Sequence, residues 1–396
     1  MLISRLTTAA LVVLCTAVVA HAQAFDEFDP AAPGWVMTPG VALGATFDDN
    51  PVLAGHGSEN PNDTITSVAP SLDLTFRGKH TVFSAAYNGA LVRYRTLNEF
   101  NSFDQGARLE LRQQASRRVG FNVRNYYSAS PTTDVVQVAG LPFIRTGTRQ
   151  NEFIGGTTIQ ATRFLELSGS YRFQWLEFER PESFTTPLLD GGRTHAFTVG
   201  AMQAVDTHVK VGGSYTYQHA IVGAVGEVFD IQNGEGTVAV QLSPTVSLDA
   251  GAGFSHLSLP DGLGSRTGPA GRVALRKSTR HAMYMVSAMR SFVPAFGFGG
   301  SLRNSEISGG VRVPFAGTRG FVQGNVAWRD SEPVLVGELG LSAVWLETTL
   351  GYGLQRWLRL EVFYSGAFQD TTAEGGRIDR NRVGVQLVTL RPMRIQ

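Results

Sequence analysis

From Trp35 onward, apolar and polar side chains alternate with a period of two, in runs of about ten to fifteen residues separated by turn-forming links. In Arg163–Phe178, the residues Leu165, Leu167, Gly169, Tyr171, Phe173 and Trp175 share one face. Glu166, Ser168, Ser170, Arg172 and Gln174 share the other. Val209–Ile221 sets Val209, Val211, Tyr215 and Tyr217 against Lys210, Ser214, Thr216 and Gln218. In Phe103–Ala115, Ala107, Leu109 and Leu111 oppose Asp104, Arg108, Glu110 and Arg112. A helix cannot keep this pattern, because its faces repeat every 3.6 residues. A soluble sandwich can alternate, but nothing requires every strand to have the same length and polarity. A sheet closed around water, with lipid outside, does require it.

The links support the same reading. Short polar ones recur at Arg77–His80, Ala115–Arg118, Ala161–Arg163, Val205–His208, Ser243–Thr245, Lys277–Arg280, Ala316–Arg319 and Gln355–Trp357. Their spacing of about 35 to 46 residues matches two membrane strands plus one longer loop. Between them lie Gly-, Pro-, Asn- and Asp-rich stretches: Asp48–Asn62, Ser130–Thr146, Glu179–Arg193, Gly223–Gly234, Leu259–Gly268 and Asp370–Asp379. The pattern predicts an all-β, transmembrane, antiparallel up-and-down barrel of about 18 strands (16–18), with short periplasmic turns and longer extracellular loops. Strands are expected to begin at Trp35, Thr64, Lys79, Ser102, Val119, Thr148, Phe164, Arg193, Val209 and Val228. The rest start at Val246, Gly268, His281, Arg303, Gly320, Gly337, Leu358 and Asp379. Met283–Met289 is unusual in being apolar on both faces.

Residues 1–24 read as a secretory signal peptide: Arg5, an apolar stretch through Ala20, and small-residue cleavage options ending at Ala22 or Ala24. Residues 25–34 are expected to form a short periplasmic segment and 35–396 the barrel, so the expected destination is the bacterial outer membrane. No later apolar run reaches the roughly 18 residues of a membrane helix. The single cysteine, Cys15, lies in the leader, so the mature chain has no disulfide or Cys-based metal site. A net charge of +1 gives no reason to expect a nucleic-acid partner.

Function is expected on the lumen face. Alternation places Arg77, Arg108, Arg112, Arg124, Arg172, Lys210, Arg272, Arg276, Arg312, Arg329, Arg359 and Arg382 inward. The inward acids are Asp73, Asp104, Glu110, Glu152, Glu166, Asp249, Glu306 and Glu361. Rings of charge tune selectivity in a pore, whereas cross-strand pairs simply brace a wet interior. Bracing is the commoner role for any single pair. Tyr87, Tyr127, Trp175, Tyr215, Tyr217, Trp345, Trp357 and Tyr364 read as interfacial girdle residues on strand ends or the apolar face. Tyr94, Tyr126 and Phe363 point inward and could stack on sugar rings. His80, His208 and His281 fall at short turns, and His195, His219 and His256 near the opposite rim, without metal-ligand spacing. Asp48–Asn50 suits a turn better than a calcium site. No Gly-x-Ser-x-Gly elbow exists, and no catalytic residue, cofactor or metal is expected.

Three phrases carry a resemblance: Trp35-x-Met37-x-Pro39-Gly40-Val41 before an Asp-Asn loop, Arg163–Arg172, and the closing Arg380–Val385. In them the chain resembles the β-barrel porin type of outer-membrane protein associated with exopolysaccharide export. The resemblance implies a channel for a secreted polysaccharide, working with periplasmic export proteins. Lipid, lipopolysaccharide and the outer-membrane assembly machinery are the other expected partners. A general diffusion porin is the alternative, with Ser130–Thr146 the loop expected to fold inward. A lipid-modifying barrel enzyme and an adhesive barrel rank lower. The chain departs from such barrels in lacking a terminal aromatic residue, and Pro392 is expected to end the last strand or lie at an edge.

Overall fold

In the computed structural model, the described residues are 33–395 apart from 56–60, 133–144, 180–188, 190, 224–225, 263, 298–299, 318, 336–339 and 372–375. The predicted leader lies outside them, as does Val135–Val138 of the loop expected to fold inward. The described chain is almost wholly strand. The first six are β1 (Gly34–Asp48), β2 (Asp63–Arg77), β3 (Thr81–Tyr94), β4 (Ser102–Gln114), β5 (Val119–Ser130) and β6 (Thr148–Gln160). Next come β7 (Leu165–Phe178), β8 (Gly192–Ala204), β9 (Val209–Val222), β10 (Glu227–Ser243), β11 (Val246–Ser258) and β12 (Ser265–Ser278). Then follow β13 (Met283–Pro294), β14 (Ser301–Phe315), β15 (Gly320–Pro333), β16 (Leu341–Gln355), β17 (Leu358–Thr371) and β18 (Ile378–Leu390). A short β19 (Met393–Ile395) completes the sheet.

Each strand pairs antiparallel with its sequence neighbours, and β1 pairs with β18, so the sheet closes into an eighteen-stranded up-and-down barrel. Closure leaves no edge along this seam. The seam runs from Asp48↔Arg382 to Gly40↔Leu390 and resumes beyond Pro392 as Met37↔Met393 to Trp35↔Ile395. Pro392 therefore interrupts the closing strand without ending it. Pairing with β17 stops at Leu358↔Thr389, so β19 has only β1 beside it, an edge position that tolerates the missing N–H.

One rim consists of tight turns. Asp206 Oδ1 accepts the backbone N–H groups of His208 (2.5 Å) and Val209 (2.8 Å). Thr162 Oγ1 and Thr279 Oγ1 do the same for Leu165 (3.0 Å) and Ala282 (3.0 Å). These are the side-chain turns that favour Asp and Thr at such positions. At the opposite rim the connections are mostly longer. The stretch expected to be a loop over Gly223–Gly234 shrinks to residues 223–226, because Gly223 (φ 84°) and Gly226 (φ 73°) turn the chain and β10 begins at Glu227.

Register divides the wall into two faces. The outer one displays Val41, Leu43, Leu109, Val199, Phe254, Ile307, Leu360 and Val385, with Phe254 69% exposed. A band of apolar side chains left bare around a closed barrel is what lipid would cover. Near the long-loop rim this face turns polar and aromatic. Asp230 Oδ1 accepts Tyr217 Oη–H (2.7 Å) and contacts His219 Nδ1 (2.8 Å), while Tyr171 Oη meets His195 Nδ1 (2.7 Å).

The wall is irregular in one place. β12 pairs with β13 only from Gly271↔Arg290 to Ser278↔Met283, while Ser265–Ala270 pair with β11 alone among the described residues. Above Arg290, β13 parts from β12 while its ladder to β14 continues to Pro294↔Ser301, and it bends over the inner faces of β10 to β12. There Phe292 lies against Gly268 and joins an apolar cluster with Leu257 and Phe229.

Candidate functional site: the barrel lumen

Following the register around the barrel puts the charged residues expected inside on one continuous face of the wall. Ser71 and Asp73 share it with Arg77 on β2, across from Asn88, Ala86 and Val82. On β4, Asp104, Arg108, Glu110 and Arg112 face Ala90, Ala86, Ser84 and Val82 of β3. Glu110↔Arg124, Tyr126↔Glu152, Ile154↔Arg172 and Gln160↔Glu166 continue the same face through β5, β6 and β7. Ala204↔Lys210 and Ala239↔Asp249 carry it on, followed by Gly251↔Arg272 and Ser247↔Arg276. Glu306↔Arg329 and Arg312↔Gln323 extend it across β14 and β15. Gly353↔Arg359, Gly351↔Glu361 and Ser365↔Arg382 complete the circuit.

Many of these charges meet across strands. Arg172 reaches Glu152 (3.4 Å), Lys210 reaches Glu166 (3.1 Å), and Arg272 reaches Glu235 (3.2 Å). Arg112 stands 3.9 Å from Glu110 of its own strand. Their half-open side chains make these modest braces. Ser102 donates to Asp104 (2.9 Å). Among the described residues, the side chains of Arg108, Arg124 and Arg276 make neither a hydrogen bond nor an ion pair; the first two stand on the neighbouring strands β4 and β5, the third apart from them on β12.

The wall from β14 to β18 is drier. Arg329 is 4% exposed, bonds Glu306 through Nε (3.1 Å) and Nη2 (3.0 Å), and lies 4.9 Å over the Trp345 ring. Trp345 therefore belongs to the lumen, not to the girdle where the sequence reading put it. It pairs with Ala327 and Ala367 on the inner face and shares its parity with Glu347. Closer to the short-turn rim, Arg312 (4.6 Å) and Arg359 (5.3 Å) both face Phe321, whose ring lies over Gly351. Glu361 binds Arg359 Nε (2.5 Å) and accepts Gln386 Nε2 (2.5 Å). Arg382 Nε donates to Ser365 (2.9 Å).

At the long-loop rim, Asp48 and Arg380 form a pair 0% and 3% exposed, with Nε at 3.1 Å from both carboxylate oxygens and Nη2 at 2.5 Å from Oδ2. Asp49 accepts Asn381 N–H (2.6 Å) and Nδ2 (2.7 Å), and Asn50 binds the carbonyls of Ala54 and Asp379 (both 3.0 Å). These oxygens are engaged in a loop lock, in keeping with the turn reading of Asp48–Asn50. No cluster of three metal-ligating groups occurs among the described residues.

The main feature absent from the sequence reading is an apolar knot inside the long-loop mouth. Leu176, Phe178, Val222, Phe229, Ile231, Leu257 and Phe296 are buried together, with Val334 and Leu335 against them. Phe296, on the β13–β14 connection, crosses to β8. A Cβ at Gly192 would stand 2.8 Å from its ring, so glycine makes room for it. No local signal announces this contact, because it joins segments about a hundred residues apart. Of the loop expected to fold inward, Arg145 is described. Its guanidinium stacks 3.8 Å over Phe100 and donates to the Pro51 carbonyl (2.6 Å) and Tyr94 Oη (3.2 Å). Tyr94 and Tyr126 point inward, as expected, and so does Phe363.

No protein-family model matches the sequence, and neither does any curated protein. Solved structures with a similar outline include OccAB4 of Acinetobacter baumannii, 8% identical over 92% of this chain and 100% of that one, at a TM-score of 0.47. OpdO of Pseudomonas aeruginosa is 12% identical over 91% and 98%, at 0.45. A BenF-like porin from Pseudomonas fluorescens Pf-5 is 10% identical over 90% and 99%, at 0.43. Likeness at this level says nothing about what this chain does.

Proposed function

We propose that the protein is a channel of the bacterial outer membrane that lets small solutes and ions diffuse through its barrel, without catalysing a reaction. The observation that carries this reading is the inward-folded β13–β14 tip, with Phe296 seated against Gly192 inside the mouth. It narrows a bore that eighteen strands would otherwise leave wide. An apolar outer face and a charged inner one support placement in a membrane, and the polar, aromatic zone around Tyr217, His219 and Asp230 suits the level of lipid and lipopolysaccharide headgroups. On this reading the chain is exported by a cleaved leader and inserted by the outer-membrane assembly machinery.

Reconstitution of the purified protein into planar bilayers tests the reading. Discrete conductance steps that carry small ions and exclude polymers are expected; membranes that stay electrically silent would sink it. Export of a surface polysaccharide with periplasmic partners is the second reading, favoured by the inward rings of Tyr126, Trp345 and Phe363 as sugar-stacking surfaces. Loss of surface polysaccharide on gene deletion, with small-solute uptake unchanged, would decide for it.

A further inference from the structure

Between the charged rows of β12 and β14, β13 presents a line of apolar side chains to the lumen. Met283 and Met289 are 39% and 43% exposed, and Met285 shares their face. Burying such side chains is ordinary, whereas leaving them bare on the inner wall of a water-filled barrel costs hydrophobic free energy that nothing in the sheet requires. Each methionine stands directly across from an arginine, Met285↔Arg276 and Met289↔Arg272 on β12 and Met283↔Arg312 on β14, while the other neighbour of Met289 is Glu306, which Arg329 holds. Cross-strand partners lie about 5 Å apart and alternate residues along a strand about 7 Å apart, so the three rungs form one strip. Its charge is uneven. Arg272 is held by Glu235 (3.2 Å) and Arg312 lies against Phe321, whereas Arg276 is exposed and without an ion-pair or hydrogen-bond partner among the described residues. The methionines on one side are flexible and polarizable and fit many apolar shapes. The Ser287–Ser308 bond (2.7 Å) fills the gap between rungs without a side chain that would block the strip. Above Met289 the strip ends, because Phe292 lies on the opposite face of β13 and is buried with Phe296 in the apolar knot.

We infer that the Met283–Met289 strip, with Arg276 beside it, is a binding track for organic anions that carry an apolar body, so that such amphipathic anions are the channel's preferred cargo. The acid group pairs with Arg276 while the apolar body lies along Met285 and Met289. This rests on the channel reading above and names its substrate class.

The test is block of single-channel current by sodium acetate, butyrate, hexanoate and octanoate, using the full protein in planar bilayers. Block should tighten by about twofold or threefold for each added CH2, less than the roughly fourfold of full burial because one side stays wet. Replacing Met285→Ser with Met289→Ser should flatten this dependence on chain length. Arg276→Gln should weaken block by all four acids about equally, by about tenfold, as expected for loss of a charge-assisted contact. Uncharged octanediol separates the two components: weak block removed by the Met pair, untouched by Arg276→Gln. Open-channel conductance reports that each barrel has formed, and wild-type protein alone gives the chain-length series if a variant fails to fold. Absence of conductance would refute the channel itself. Conductance with equal block by acetate and octanoate, or chain-length dependence indifferent to the Met replacements, would overturn the track and leave the channel standing.

Discussion

Arg380→Met should be among the most damaging single changes in this barrel. Its guanidinium and the Asp48 carboxylate are 3% and 0% exposed and make contacts of 3.1, 3.1 and 2.5 Å beside the closing seam. Removing the cation strands a carboxylate shut off from water, whose cross-strand neighbour Arg382 donates to Ser365 instead, and breaking a buried pair in this way typically costs about 3–5 kcal/mol. At about 4 kcal/mol, the folded-to-unfolded ratio falls roughly a thousandfold. Removing both partners, as in Asp48→Leu with Arg380→Met, leaves no stranded charge. Asp48 also accepts the Asn50 N–H (3.1 Å), and loss of that bond should leave a residual cost of about 1–2 kcal/mol. The pair variant should therefore be more stable than Arg380→Met alone. Urea unfolding of barrels folded into lipid vesicles, followed by tryptophan fluorescence, measures Arg380→Met, Asp48→Leu and the pair, and heat-dependent gel mobility confirms closure. A single-variant cost under about 1 kcal/mol, or a pair variant that loses the sum of the two singles, would refute the argument.

Three further outcomes follow from other parts of the wall. Phe296→Ala should enlarge the conductance of the pore and lower stability by about 3–5 kcal/mol through the cavity it leaves; unchanged conductance would mean that the knot does not narrow the path. Val385→Lys, on the outer face, should cost about 2–4 kcal/mol in vesicles if it lies near the bilayer midplane, and a neutral result there would contradict the face assignment. In the turn at Asp206, the backbone N–H groups of His208 and Val209 hold the carboxyl below its ordinary value. The turn's contribution is thus complete above the ordinary carboxylate value of about 4 and fades as pH falls through the lower folded value. Asp206→Ala should be less stable than wild type at neutral pH and converge with it in strong acid, as read from unfolding midpoints at a series of pH values.

The barrel was legible because period-two alternation and side-chain turns are local. Every expected strand start lies within four residues of an observed one, the largest offset being Gly337 against Leu341. Which charges share a face was equally legible, since parity alone fixes that once a strand is found. Trp345 was misplaced by letting residue type outweigh parity: Val344 and Leu346 lie on one face, Trp345 and Glu347 on the other. The apolar knot is a different case. Phe229 and Leu257 are diagonal neighbours on β10 and β11, but Phe296 reaches them only because β13 parts from β12, and nothing near those residues encodes that departure. Met283–Met289 did leave a trace, as a strand apolar on both sides, though only its neighbours revealed which arginines stand across from it.

The β12–β13 junction has a mechanical consequence. Eight residue pairs join these strands, whereas the closing seam has nine through β18 and three more through β19. The place where the ends of the chain meet is therefore not the weakest line around the circumference. Under heat or lateral tension the cylinder should part first between Gly271 and Arg290, working down toward Ser278, like a zipper already partly undone. Amide exchange at β12 and β13 should then outpace that at β1 and β18, giving the wall a built-in hinge line far from its ends.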